Sequence, residues 1–144
     1  VRPERTVRFV ASSGHELGHL GLDRFLHDEP TLIKGAWAWV HLGANIGAKD
    51  GRMRLQSATE EIAGLALGAI ETAGARLDGR VPLGSVPSGE ARNIHNGGGR
   101  YVSFLGSGPL FHNPLDLWPY AVDLEAVERW SVATTELVLK LARA

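Results

Sequence analysis

The sequence predicts an α/β fold, a three-layer sandwich whose mostly parallel or mixed central sheet is flanked by helices. Short runs of β-branched and aromatic residues alternate with segments of helical periodicity, the pattern of a layered α/β domain. Clusters of glycine and proline punctuate the boundaries. A chain of 144 residues suffices for one sizeable core, so residues 1–144 are expected to form a single domain.

Thr6–Ala11 reads as a strand that stops at Ser12-Ser13-Gly14. Leu17, Leu20, Phe25 and Leu26 recur at helical spacing and predict a helix from Glu16 to Asp28, before Pro30. The apolar run Ala36–Leu42 between glycines predicts a buried strand. Residues 43–51 form a loop or hairpin, followed by a short strand at Arg52–Gln56. Ser57, with Glu60 or Glu61, resembles an N-cap for a helix that runs through Ile62, Leu65, Ala66, Ala69, Ile70 and Ala73 to Gly74. Leu77–Gly89 admits at most a short strand. Glu90–Asn96 makes one or two helical turns closed by three glycines, and Arg100–Leu105 is a strand. A Gly/Pro-rich loop spans 106–119. Asp123–Arg143 forms a closing helix with Leu124, Val127, Trp130, Val132, Leu137 and Leu141 inward.

Composition excludes several classes. Lys plus Arg total 15 and Asp plus Glu 16, a formal net charge of −1; the missing basic excess argues against a nucleic-acid binder without excluding a local basic patch. Cysteine is absent, which excludes disulfides and thiolate zinc sites. The apolar stretches fall far short of the roughly 18 residues of a membrane helix, so no membrane partner is expected. No signal-peptide pattern is visible, and the compartment is left open. The chain opens on Val1 with no methionine and enters a strand pattern at once, which suggests a fragment.

Chemistry concentrates in six histidines, since imidazole is both a common metal ligand and a base near neutral pH. His15-Glu16-Leu17-Gly18-His19 matches HExxH, in which two histidines one helical turn apart hold zinc and the glutamate is the base. The longer extension of that motif fails, because Leu22 occupies its glycine position.

The same residues also belong to a longer pattern. Ser13-Gly14-His15-Glu16-Leu17-Gly18-His19-Leu20-Gly21 follows a strand; Gly89–Ser103 carries Glu90, Arg92 and His95 ahead of the next; Phe111-His112-Asn113-Pro114-Leu115-Asp116 comes late. In this order, over nearly the whole chain, they resemble the second half of the two-zinc aminopeptidase and glutamate-carboxypeptidase-like exopeptidases. The resemblance implies a truncated zinc-exopeptidase-like sandwich. Glu16 then falls on a metal-binding glutamate, His112 on a metal-binding histidine, and His15 on the general base, normally glutamate. The family's second zinc needs an aspartate after the next strand, where this chain reads His41-Leu42-Gly43-Ala44-Asn45. His41 stands closest to that place as a substitute ligand. Two further family ligands lie upstream of Thr6 and have no counterpart here.

Simpler roles compete at each position. Glu16 suits a helix N-terminus, His19 a structural position, and His41 a hydrogen-bonded core site. Glu90, Arg92 and His95 fall where the family shapes its substrate pocket; Arg92 can clamp a carboxylate or merely pair with Glu90. The expected function is metal-dependent hydrolysis of an amide in a peptide or small substrate, using zinc as one ion or none in this chain. The alternative is an inactive relative acting as a binding or assembly module. A homo-oligomer or a missing N-terminal segment would complete the sheet. The sharpest expectation is geometric: Glu16 and His112 converge, with His15 and His41 opening on the same cleft and His95 a further candidate.

Overall fold

Four strands make one mixed sheet in the computed structural model, which describes residues 3–143. β1 (Trp39–Leu42), β2 (Arg52–Ser57), β3 (Gly79–Arg80) and β4 (Tyr101–Ser107) lie in the order β1-β4-β2-β3. β1 runs parallel to β4 and β3 parallel to β2, while β2 and β4 are antiparallel. The helices are α1 (Leu20–Asp28), α2 (Leu32–Gly35), α3 (Glu60–Ala73), α4 (Ala91–Asn96) and α5 (Leu124–Leu141). Among the described residues, no helix is long and apolar enough to cross a membrane.

Strand alternation divides the layers, because successive side chains point to opposite faces. Val102 and Phe104 of β4 join Leu55, Ile62, Ala66, Trp130, Ala133 and Leu137 in the larger core, against α3 and α5. Tyr101 faces the other way and packs with Leu22, Leu26, Ala91 and Ile94 of α1 and α4. Trp39 lies against that second cluster and Val40 against the first, so β1 follows the same division. His41 stands opposite Ser103 in the register. Period two places both on the α1/α4 face, and this pairing begins the site.

Several expectations are corrected. Thr6–Ala11 is not a strand: residues 3–13 are exposed, and no backbone hydrogen bond is made by Thr6–Ser12 among the described residues. A β-branched run becomes a strand only beside a ladder partner, and none lies there. The helix expected over 16–28 is split into a 3₁₀ turn at His15–Leu17 and then α1, because Gly18 and His19 both adopt left-handed backbone. The buried strand of 36–42 contracts to an edge strand with half-exposed Leu42, and the short α2 before it was unforeseen. Thr59, not Ser57, caps α3 by accepting from the Ile62 N–H. In α5, Leu124 and Val132 face solvent, and Ala133 takes an inward place.

Candidate functional site

A tight turn delivers the first side chains of the candidate site. Gly14 (φ 69°) and Gly18 (φ 85°) reverse the chain on either side of His15–Leu17. Gly21 N donates to Ser13 O at 2.9 Å, and a Cβ at Gly21 would stand 2.5 Å from Ser13 N and 2.6 Å from Ser13 O. Only glycine permits that approach. The turn presents His15, Glu16 and His19 beyond the end of β1, where His41 sits.

Glu90 joins two of these histidines. Its Oε1 is 2.9 Å from His15 Nδ1, and its Oε2 is 3.5 Å from His41 Nε2. His41 Nδ1 lies 2.8 Å from Ser103 Oγ, the contact that the parallel register prepares. The order Ser103–His41–Glu90 is that of a serine relay, but Ser103 is 2% exposed and beyond the reach of a substrate. It therefore orients the imidazole. Gly89, at φ 64°, lies flush against His41: an added Cβ would meet His41 Cε1 at 3.0 Å.

His19 closes the cluster. Its ring centroid lies 5.0 Å from that of His15, and its Nδ1 is 2.8 Å from Asn93 Oδ1. Asn93 Nδ2 in turn donates to Asp23 Oδ1. With Nδ1–H donating to Asn93, the lone pair of His19 is on Nε2. One ligand-type atom from each of His15, His19 and Glu90 lies within 4.8 Å of the others.

Beside this group, Glu16 Oε1 and His112 Nε2 stand 3.2 Å apart. His112 comes from the loop after β4 with left-handed backbone (φ 60°) and stacks on Phe111. Both partners of the Glu16–His112 pair are exposed, at 73% and 61% of their side-chain surface.

Electrostatics separates the two histidines that share Glu90. Hydrogen bonding to the Glu90 carboxylate, reinforced by its charge, raises the His15 pKa above its ordinary value. Burial dominates at His41 and lowers its pKa, although Glu90 pulls the other way. For Glu90 burial is the largest influence and works upward, but the hydrogen bond from His15, its own backbone N–H and the charges of His15 and His19 together bring it below the usual range.

No family model, curated protein or solved structure significantly matches the chain. The chemistry therefore has to be read from the arrangement itself.

The structure brings Glu16 together with His112, and His15 with Glu90 and His41. It does not bring His95 to them: His95 Nδ1 faces Tyr101 Oη at 3.4 Å and the two rings meet edge to face. Arg92 is exposed, with Nε on the Pro87 carbonyl at 3.3 Å, and lines an open groove of about 600 Å³ that also includes His19, Asp23, Leu26, Ile33 and Asn93. Of the ligands expected from the resemblance, Glu16 and His112 face each other, but His41 is turned to Glu90 and Ser103. That leaves two protein donors where catalytic zinc takes three. His19, expected to be structural, and Asn93, Asp23 and Ser103, which the sequence did not single out, all join this candidate cluster. HExxH was the signal for His19; nothing local in sequence marks the other three.

Proposed function

We propose that this chain hydrolyses amide bonds with a metal-activated water, at the mouth formed by the His15–Leu17 turn, the end of β1 and the loop after β4. The observation that carries the reading is the approach of Glu16 to His112, from segments far apart in sequence, beside the His15–Glu90–His41 network. It matches the convergence that resemblance to a zinc-exopeptidase-like sandwich implies. The donors are carboxylate and imidazole, a set suited to zinc, manganese or cobalt.

A divalent metal bound there would supply Lewis acidity and lower the pKa of a bound water toward about 7. The remaining work falls to side chains. Of the side chains at this mouth, Glu16, Glu90 and the imidazoles of His15, His19 and His112 are those that would hold the ion or accept a proton from water. His41, fixed between Ser103 and Glu90, holds the carboxylate in place. Arg92 offers an exposed guanidinium in the adjoining groove, where a substrate carboxylate can be clamped in a bidentate manner.

The test is release of p-nitroaniline or aminocoumarin from a panel of aminoacyl and acidic amide substrates, with zinc, manganese or cobalt. Metal-dependent turnover that E16Q and H112A each reduce at least tenfold supports the reading. Absence of turnover with every metal overturns it in favour of the second reading, a binding module. The specific observations for that module are the solvent exposure of Glu16 and His112 and the lack of a carboxylate where β1 ends.

A further inference from the structure

We infer that His15, His19 and Glu90 form a divalent-cation site of two imidazoles and one carboxylate, distinct from the Glu16–His112 pair. For its catalytic consequence the inference rests on the hydrolase reading; as a statement about binding it stands alone.

Donor count comes first. Catalytic zinc takes three protein ligands and leaves a position open for water, and two histidines with a glutamate are one of its established sets. Here the three candidate atoms lie within 4.8 Å of one another. Tetrahedral bonds of about 2.0–2.1 Å put neighbouring ligand atoms about 3.3 Å apart. Closing that difference requires side-chain adjustment on the order of 1 Å, and the half-exposed His15 side chain is free to make it.

The surrounding groups already have the form of an outer shell. Ligating histidines commonly use their second ring nitrogen to donate to an oxygen, which fixes tautomer and orientation. His19 does so through Asn93 to Asp23, leaving Nε2 as the ligand atom. His41, anchored on Ser103, reaches the second oxygen of Glu90 and leaves Oε1 toward His15. Gly89 supports the approach of Glu90 to His41: its left-handed backbone (φ 64°) suits glycine, and an added Cβ would press on the imidazole at 3.0 Å. The left-handed turn at Gly18 and His19 does what one helix does in the HExxH pattern, bringing both imidazoles to one side.

A consequence follows for the neighbouring pair. With His15 a ligand, its proton-accepting role passes to Glu16, the adjacent residue, whose carboxylate is held by His112. The groove lined by His19 and Arg92 adjoins the proposed site at His19 and suits an amide substrate bearing a carboxylate.

The 144-residue chain, stripped with EDTA and titrated with zinc by calorimetry at pH 7.5, tests this. The expected result is one zinc per chain, with affinity at least a hundredfold weaker in H15A, H19A and E90Q. N93A should weaken it about tenfold, as an outer-shell loss does. E16Q/H112A should leave binding within about threefold. H19N guards against misfolding, because asparagine tolerates the left-handed backbone at that position (φ 67°); H19N with a native melting transition must lose zinc as H19A does. Cobalt(II) should give the visible spectrum of a four- or five-coordinate nitrogen/oxygen site, and H19N should abolish it. Zinc binding that survives in folded H19N and E90Q but fails in E16Q/H112A overturns the inference and returns the ion to the resemblance-based pair. Absence of stoichiometric binding overturns it outright. Tight binding with the expected ligand pattern and no amide turnover sustains the site and overturns only the hydrolase reading.

Discussion

The two ends of the chain's architecture are held by different means. On one face of the sheet, α3 and α5 bury Ile62, Ala66, Phe104, Ala133 and Leu137 at 0% exposure. At the mouth, His15, Glu16 and the whole stretch 111–120 are exposed, and position is maintained by glycine turns and hydrogen bonds. The contrast separates stability from chemistry. Core contacts set whether the chain folds; a few local constraints decide whether four histidines and two glutamates meet. Mutations should therefore fall into two classes with little overlap.

The largest expected effect lies in the core. Phe104→Ala removes a ring packed against Trp130 and should cost about 3–5 kcal/mol, since transfer and cavity losses add. Urea unfolding measures it. The matched control is Phe9→Ala, an aromatic of the same type at 91% exposure, with an expected change within about 0.5 kcal/mol. A large loss at Phe9 would mean that the extended N-terminal segment packs in solution and would erase the contrast.

Gly21→Ala should come next. Its Cβ would press on the Ser13 backbone at 2.5–2.6 Å, and backbone cannot swing aside as a flexible side chain can. Destabilisation of about 1–3 kcal/mol is expected, together with a weakened His15–Glu90 contact seen as an altered His15 resonance. A fall in stability with the His15 environment unchanged would show that the turn and the cluster are uncoupled.

Legibility in sequence follows the same division. The period-3.6 patterns of α3 and α5 were readable because burial selects one face of each helix, whereas β4 was readable as a short apolar and aromatic run whose two faces are both buried. Thr6–Ala11 misled because its composition is that of a strand, whereas strand formation depends on a neighbour that local sequence does not encode. Within the candidate site, motif order singled out Glu16, His112, His15 and His41, which the fold brings to one mouth. The Asn93–Asp23 support of His19 was not, because it joins α4 to α1 through tertiary packing alone. Ser103 could be found only once the β1–β4 register was known. Glu90 was assigned to a substrate pocket; its bridging position depends on the left-handed Gly89 as much as on its own chemistry.

A pH experiment sharpens the comparison away from the mouth. The Asp78 carboxylate accepts from Met53 N–H at 2.8 Å, with further help from Arg76, and its pKa is lowered chiefly by that backbone hydrogen bond. A carboxyl with a depressed folded pKa stabilises above its unfolded value of about 4 and loses that contribution as pH falls through the folded one. D78N should therefore cost about 1 kcal/mol at pH 7, with parent and variant converging toward pH 2 in urea titrations. A constant difference across that range would assign the loss to shape rather than to charge.

The smallest effect on stability is expected from the two histidines that share Glu90, because their contributions oppose each other. His15 has a raised pKa, so its interaction with Glu90 stabilises below the ordinary value near 6.5 and is lost as pH rises through the folded value. His41 has a lowered pKa; its buried neutral ring is favoured above 6.5, and that advantage is lost as pH falls through its folded value. The net change in folding stability between pH 5 and 8 should stay under about 1 kcal/mol, His15 being half exposed and screened. Proton NMR of the metal-free chain resolves what stability conceals: the His15 ring titrates above 6.5 and the His41 ring below it. E90Q should move both midpoints the same way, downward. His15 loses the partner that raised it, and His41 loses the attraction to Glu90 that opposed its burial. Movement in opposite directions would show that Glu90 does not bridge the two rings, and the mouth would then consist of separate contacts with no shared centre.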